Sequence, residues 1–316
     1  MRRPTSVFPK LPVMIVALLF IATCLVGLSQ TVTAQSNGAQ GITISPASTQ
    51  VTVKPGSAVT DKFEIINSGD EAYIVNVSVA PYRVQGIDYE PRFTQLPGVT
   101  EAASWVSMTD DSAELRARDT ISVDYTVSVP ETIAPGGYYV VLFAETSPLS
   151  SSATGGVIPH NRVGNILYIT VEGEVETAGE LKQEPTAPFV LSTGLPLGVR
   201  ITNSGGVHFV SEITFSINGI TGKTLHQETL ERYVLPQTER RILTSWEPSA
   251  PIGFYTIKTS GVVAGETQTL PDQVVFFVTP WLLAALFLLI AVIGIVLSAR
   301  VYTRKHQKRT KQDGSK

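Results

Sequence analysis

From residue 41 to about 279 apolar and polar positions alternate with a period of two, and no stretch holds a 3.6-residue apolar stripe over three turns. Ile42, Ile44, Val51 and Val53 open the pattern, and Lys54-Pro55-Gly56 turns it. Val59, Phe63, Ile65 and Ile66 predict a strand closed by Asn67-Ser68-Gly69-Asp70, and Tyr73, Val75, Val77 and Val79 predict the next. After an irregular stretch at 81–112, Trp105, Val106 and Met108 read as a short return strand. Ile121, Val123, Tyr125, Val127 and Val129 alternate cleanly up to Pro130. Residues 138–143 form a strand after Ala134-Pro135-Gly136-Gly137, 147–159 a Ser/Gly-rich mobile loop, and 162–171 the closing strand. Short strands punctuated by Gly, Pro and Asn turns predict a β-sandwich.

The plan then repeats. Ile201-Thr202-Asn203-Ser204-Gly205 echoes Ile65-Ile66-Asn67-Ser68-Gly69, and Ala250-Pro251-Ile252-Gly253-Phe254-Tyr255 echoes Ala134-Pro135-Gly136-Gly137-Tyr138-Tyr139. Asn218-Gly219 is a hairpin signal between them. From Asn to Pro the first copy takes 68 residues and the second 48, which places an insertion at 81–112. The expected domains are a sandwich at 41–173, an acidic Pro-containing linker at 174–188 and a second sandwich at 189–278. Both repeats place their aromatics (Tyr138, Tyr139, Phe254, Tyr255) in the core.

The periodicity ends at 281–299, WLLAALFLLIAVIGIVLSA, nineteen residues without a charge. A helix of that length spans roughly 28 Å, close to the ~30 Å hydrocarbon core of a bilayer. Behind it, 300–316 carries seven Lys and Arg against Asp313 alone. Cationic flanks stay cytoplasmic, so a single-pass protein with an internal basic tail and an external bulk is expected. At the other end, Arg2, Arg3 and Lys10 precede an apolar run over 11–28 and a Val32-Thr33-Ala34 exit, the pattern of a cleavable signal at 1–34. The length of the run leaves an uncleaved signal anchor open.

Composition then narrows the function. Cys24 is the chain's one cysteine, so an exported mature chain has no disulfide and depends on its hydrophobic core. Residues 35–279 hold 14 Lys and Arg against 26 Asp and Glu, a formal net charge of −12. That acidity argues against nucleic acid as a partner. His160, His208, His226 and His306 lack ligand spacing, Asp110-Asp111-Ser112-Ala113-Glu114 lacks the oxygen spacing of a calcium loop, and no nucleophile motif is legible. No cofactor, metal or enzymatic activity is expected.

The order signal, sandwich, sandwich, span and basic tail resembles the WxL-interacting proteins of Gram-positive surfaces. Ile44-Ser45-Pro46, Val53-Lys54-Pro55-Gly56, Ile66-Asn67-Ser68-Gly69, Gly86-Ile87-Asp88-Tyr89 and Gly136-Gly137-Tyr138-Tyr139 carry the resemblance, over about 41–173. It implies a peptidoglycan-binding first domain and a second domain that binds a host partner. Periplasmic pilus chaperones share the same turn chemistry.

The residues themselves offer one candidate ligand site, in the insertion: Tyr82, Arg83, Asp88, Tyr89, Arg92 and Phe93. Aromatic faces stack on sugars, while Arg and Asp bond hydroxyls, amides and carboxylates; the alternative is that Tyr82, Tyr89 and Phe93 pack the insertion onto the sheet. The reading is an all-β, membrane-anchored surface protein with two immunoglobulin-like sandwiches and one C-terminal transmembrane helix, binding peptidoglycan or another surface protein. An accessory subunit of an envelope enzyme, transporter or pilus-like assembly is the other reading.

Overall fold

The computed structural model describes residues 41–94, 102–148 and 161–313, with side chains through Val301. The signal-like 1–34 and nearly all of the Ser/Gly-rich loop lie outside the described residues.

The first sandwich packs two sheets. One runs β1 (Ile42–Ser45), β3 (Ala58–Asn67), β9 (Thr120–Ser128), β7 (Val106–Met108); the other runs β2 (Ser48–Val53), β11 (Arg162–Val171), β10 (Gly136–Pro148), β4 (Tyr73–Pro81), β8 (Ser112–Leu115). Pairing is antiparallel throughout except for β2, which lies parallel to β11. Phe63, Ile65, Val123, Tyr125 and Val127 from one sheet meet Val75, Val140, Leu142, Leu167 and Ile169 from the other, all buried. Alternate residues of each strand supply this core, as the period of two dictates.

The second sandwich repeats that order without a counterpart of β7. One sheet runs β12 (Gly179–Gln183), β14 (Leu195–Asn203), β17 (Thr238–Trp246). The other runs β13 (Phe189–Leu191), β20 (Gln273–Val278), β18 (Ile252–Val263), β15 (Phe209–Gly219), β16 (Thr224–Val234), with β19 (Glu266–Thr269) paired to the end of β18. Again the short strand, β13, lies parallel to the last one, β20. The stretch expected as linker therefore contains β12, an edge strand that pairs with β14 from Gly179 opposite Asn203 to Gln183 opposite Val199. Its backbone ladder and the single inward Leu181 hold it there.

The Asn turns show why the two copies share a sequence signature. Asn67 is buried; its Nδ2 donates to the carbonyls of Glu71 (2.7 Å) and Arg116 (2.9 Å), and its Oδ1 accepts from Gly69 N (2.9 Å). Asn203, also buried, donates to Val207 O and Val234 O (both 2.9 Å) and accepts from Gly205 N (2.9 Å). One amide thus closes a local turn and ties it to a distant stretch of the chain, a task that needs both a donor and an acceptor on a short side chain.

Two residues beyond β20 begins α1 (Pro280–Asp313). Its segment Pro280–Val301 has a mean hydropathy of 3.0 and is unburied, so it is long and apolar enough to cross a membrane. The junction is pinned: Thr279 is buried, and both its N–H (2.8 Å) and its Oγ1 (3.1 Å) donate to Pro251 O.

Candidate functional site

The insertion folds back as a hairpin, β5 (Arg83–Gln85) and β6 (Glu90–Arg92), joined by Gly86-Ile87-Asp88-Tyr89. Gly86 and Tyr89 both adopt positive φ (68° and 60°), the left-handed conformation a tight reversal requires. For tyrosine that conformation costs about 1–2 kcal/mol, so other interactions must hold it.

Those interactions come from the second sandwich. Tyr89 Oη accepts from Leu235 N (2.9 Å) and lies in hydrogen-bond contact with Thr238 Oγ1. Thr238 Oγ1 in turn donates to Leu235 O (2.7 Å), so its single hydrogen is committed. Tyr89 must therefore be the donor to Thr238, which closes a ring of three hydrogen bonds. The Arg240 guanidinium sits 4.4 Å above the Tyr89 ring and donates to Tyr233 O (2.6 Å). Burial pushes Arg240 below its ordinary pKa, offset chiefly by the neighbouring Tyr89. Beside it, Asp88 receives a fork from Arg241, with Nε to Oδ1 at 2.9 Å and Nη2 to Oδ1 and Oδ2 at 2.7 and 2.9 Å. The Arg241 amide donates to Ile87 O at 2.7 Å.

A buried aromatic layer continues this joint. On β10 and β11 the residues that face away from the first core, Tyr139, Val141, Phe143 and Tyr168, join Tyr82, Tyr89 and the second sandwich in one apolar cluster. Tyr168 stacks on Tyr233 (4.2 Å between centroids, 19° between planes), and Gln50 Nε2 donates to Tyr233 Oη (2.8 Å). His208 lies within 5.0–6.1 Å of Tyr139, Tyr168 and Tyr233. Its amide donates to Tyr139 Oη (3.0 Å), whose own hydrogen suits a bare Nδ1 at 3.2 Å. Burial pushes His208 down from 6.5 to about 4, so it is neutral at pH 7, and raises Tyr139 and Tyr168.

The six residues singled out from the sequence therefore divide. Asp88, exposed, and Tyr89, buried, grip the second sandwich, and Tyr82 is buried beside Tyr89; its amide donates to Tyr139 O at 3.0 Å. Arg83, Arg92 and Phe93 remain on the outer side. Arg83 and Arg92 are direct cross-strand partners and, with Val84, Gln85 and Thr94, line a shallow hollow of about 300 Å³. Arg92 is steadied by Gln85 Oε1 (2.7 Å) and Glu90 Oε2 (2.9 Å), and Arg83 donates to Thr94 O. Phe93 is 37 % exposed and meets Phe143 edge-on at 5.0 Å, while Arg162 covers that ring at 3.6 Å. The site is one hairpin with a gripping side and an open side.

No protein-family model matches the chain, and no curated protein matches it. Solved structures with similar folds include the class 5 fimbriae chaperone CfaA (12 % identity, 75 % of this chain, 99 % of that one, TM-score 0.37). The Pseudomonas aeruginosa chaperone CupB2 is similar at 10 % identity over 72 % of this chain and 98 % of its own, TM-score 0.34. The SafB chaperone, solved with the Salmonella enterica SafA pilin, gives 11 % identity over 75 % and 97 %, TM-score 0.37.

Sequence reasoning missed the hairpin's partners Leu235, Thr238, Arg240 and Arg241, and the adjoining aromatic layer of Tyr168, His208 and Tyr233. One signal was available. Tyr139-Val140-Val141-Leu142-Phe143 is apolar at both parities, which marks a strand covered on both faces.

Proposed function

We propose that this chain is a non-enzymatic, membrane-anchored surface protein whose two sandwiches form one stiff arm outside the cell, and that the open side of the β5–β6 hairpin is its recognition surface. The observation that carries the reading is the joint. The insertion that presents Arg83, Arg92 and Phe93 is fixed from behind by Asp88 and Tyr89, so the open side is held ready. Two guanidinium groups beside an exposed aromatic edge suit the carboxylates and sugar faces of peptidoglycan, the ligand that the resemblance to WxL-interacting proteins implies. The apolar first part of α1 supports the anchor, and the basic residues that follow it favour a C-terminus inside the cell.

The test is retention of the detergent-solubilised full chain on protein-free cell-wall sacculi. Retention that falls when Arg83 and Arg92 are both replaced by Ala supports wall binding through this face. Absence of retention, with membrane proteins co-purifying instead, sinks the wall-binding reading and favours an accessory subunit of an envelope assembly.

A further inference from the structure

We propose that the helix-proximal end of the second sandwich beds in the interfacial layer of the bilayer, with the outer face of β13, β20 and β18 as its lipid-contacting surface. The proposal rests on α1 crossing the membrane. On that face Phe189 is the cross-strand partner of Phe276, and Phe276 that of Phe254, with ring centroids 5.9 and 4.6 Å apart. One row nearer the helix, Leu191 and Ile252 flank Val278. Phe189, Leu191, Ile252 and Phe254 are exposed, although their neighbours Val190, Tyr255 and Phe277 already fill the core.

A solvent face of an antiparallel sheet is ordinarily polar. This one is polar only away from the helix, where β18 continues outward with Thr256, Lys258 and Ser260. The apolar part is densest at the end that enters the membrane helix, with only Val274, beside Thr256, exposed farther out on β20. Val278 is two residues from Pro280, and Phe276 four, which at about 3.3–3.6 Å per residue keeps the aromatic row within roughly 14 Å of the helix start. An interfacial helix sinks its apolar face about 5–10 Å, a comparable depth. The Thr279–Pro251 bonds tie the first residue before the helix to the β17–β18 loop, so this end cannot lift away on a slack tether.

A second observation comes from the loops at the same end. Gly219 pairs with Tyr255, so the β15–β16 hairpin tip points toward the helix end, and it presents Ile220, 85 % exposed. Across 192–194, 220–223 and 247–251 the charged residues are Lys223 and Glu247 alone. A surface that meets headgroups and acyl boundaries wants such sparse charge and protruding aliphatic and aromatic tips.

The test uses the full chain in a Cys24→Ser background, with single labels introduced by Phe254→Cys, Ile220→Cys, Lys258→Cys and Leu289→Cys. Each variant carries an environment-sensitive fluorophore and is reconstituted into phosphatidylcholine vesicles that contain spin-labelled phosphatidylcholine. The expected result is quenching at positions 254 and 220 several-fold stronger than at 258, with 289 quenched as well. Equal, weak quenching at 254 and 258 while 289 is quenched overturns the proposal and leaves the span intact. A label at 254 that is shielded from an aqueous quencher yet untouched by the lipid spin label means that protein covers the face, a second copy or another subunit, and also overturns it. An unquenched 289 removes the span itself, and the proposal with it.

Discussion

The two sandwiches share strand order and the Asn turn, yet they differ by one residue where it matters most. After Pro135 the inward residues are Tyr138, Val140 and Leu142; after Pro251 they are Tyr255, Ile257 and Thr259. Counted from proline, the second strand is a residue out of phase, and a shift of one exchanges the faces of a strand. In the first copy the outward set, Tyr139, Val141 and Phe143, is covered by the hairpin and the second sandwich. In the second, Phe254 faces out, against the expectation that it belongs to the core. A repeated motif thus preserves a turn while leaving the destination of its aromatic residues free to change.

Removing a core ring should break the equivalence of the two copies most severely. Phe63→Ala and Phe215→Ala each delete a fully buried ring and should cost about 3–5 kcal/mol. Chemical denaturation followed through sandwich-specific hydrogen exchange should assign each loss to its own copy. Equal loss of protection in both copies from either change would mean that the sandwiches unfold as a unit.

Acid should act on the joint before it acts on either core. The folded pKa of His208, about 4, lies below its ordinary 6.5, so between these values the unfolded chain binds the extra proton. The contribution is complete above pH 6.5 and declines as pH falls toward 4, by at most about 3 kcal/mol. Burial causes the shift, and the groups facing the ring are Tyr139, Tyr168 and Tyr233. Stability of the wild type and of His208→Phe, compared across that range, should show the slope only in the former.

Glycine substitutions sharpen the difference in phase. A Cβ at Gly137 would lie 2.0 Å from the Tyr139 hydroxyl, whereas at Gly253 it would meet the Tyr255 ring at 3.0 Å. Gly137→Ala should therefore cost about 1–3 kcal/mol and weaken the joint, and Gly253→Ala clearly less, as thermal unfolding would record. The smallest effect belongs to the exposed fork: Asp88→Asn should lose about 0.5–1 kcal/mol, and the loss should shrink in high salt.

Much of the fold was legible because alternation and turn chemistry are local. Asn67 and Asn203 announced their turns, and Val106 and Met108 their return to the sheet, although Trp105, expected in the same strand, ends a buried 3-10 turn just before it. The strand β12 was not legible, since Gly-Glu-Leu-Lys-Gln has one inward apolar residue and is defined by its backbone ladder to β14. For the hairpin, sequence indicated recognition chemistry without its direction. Asp88 and its partner Arg241 stand 153 positions apart, and no spacing rule connects them. The same residue types serve a ligand or a neighbouring domain equally well, and only the fold decides between them.

The strand that enters α1 is not at an edge. β20 is bonded to β18 along its length, and over its last three residues, Phe276 to Val278, β13 holds it from the other side. Tension between α1 and the first sandwich would therefore pull along a strand gripped from both flanks where it nears the helix, stressing several rungs at once instead of peeling them singly. The first turn of α1 thus starts from an interior strand of the sheet.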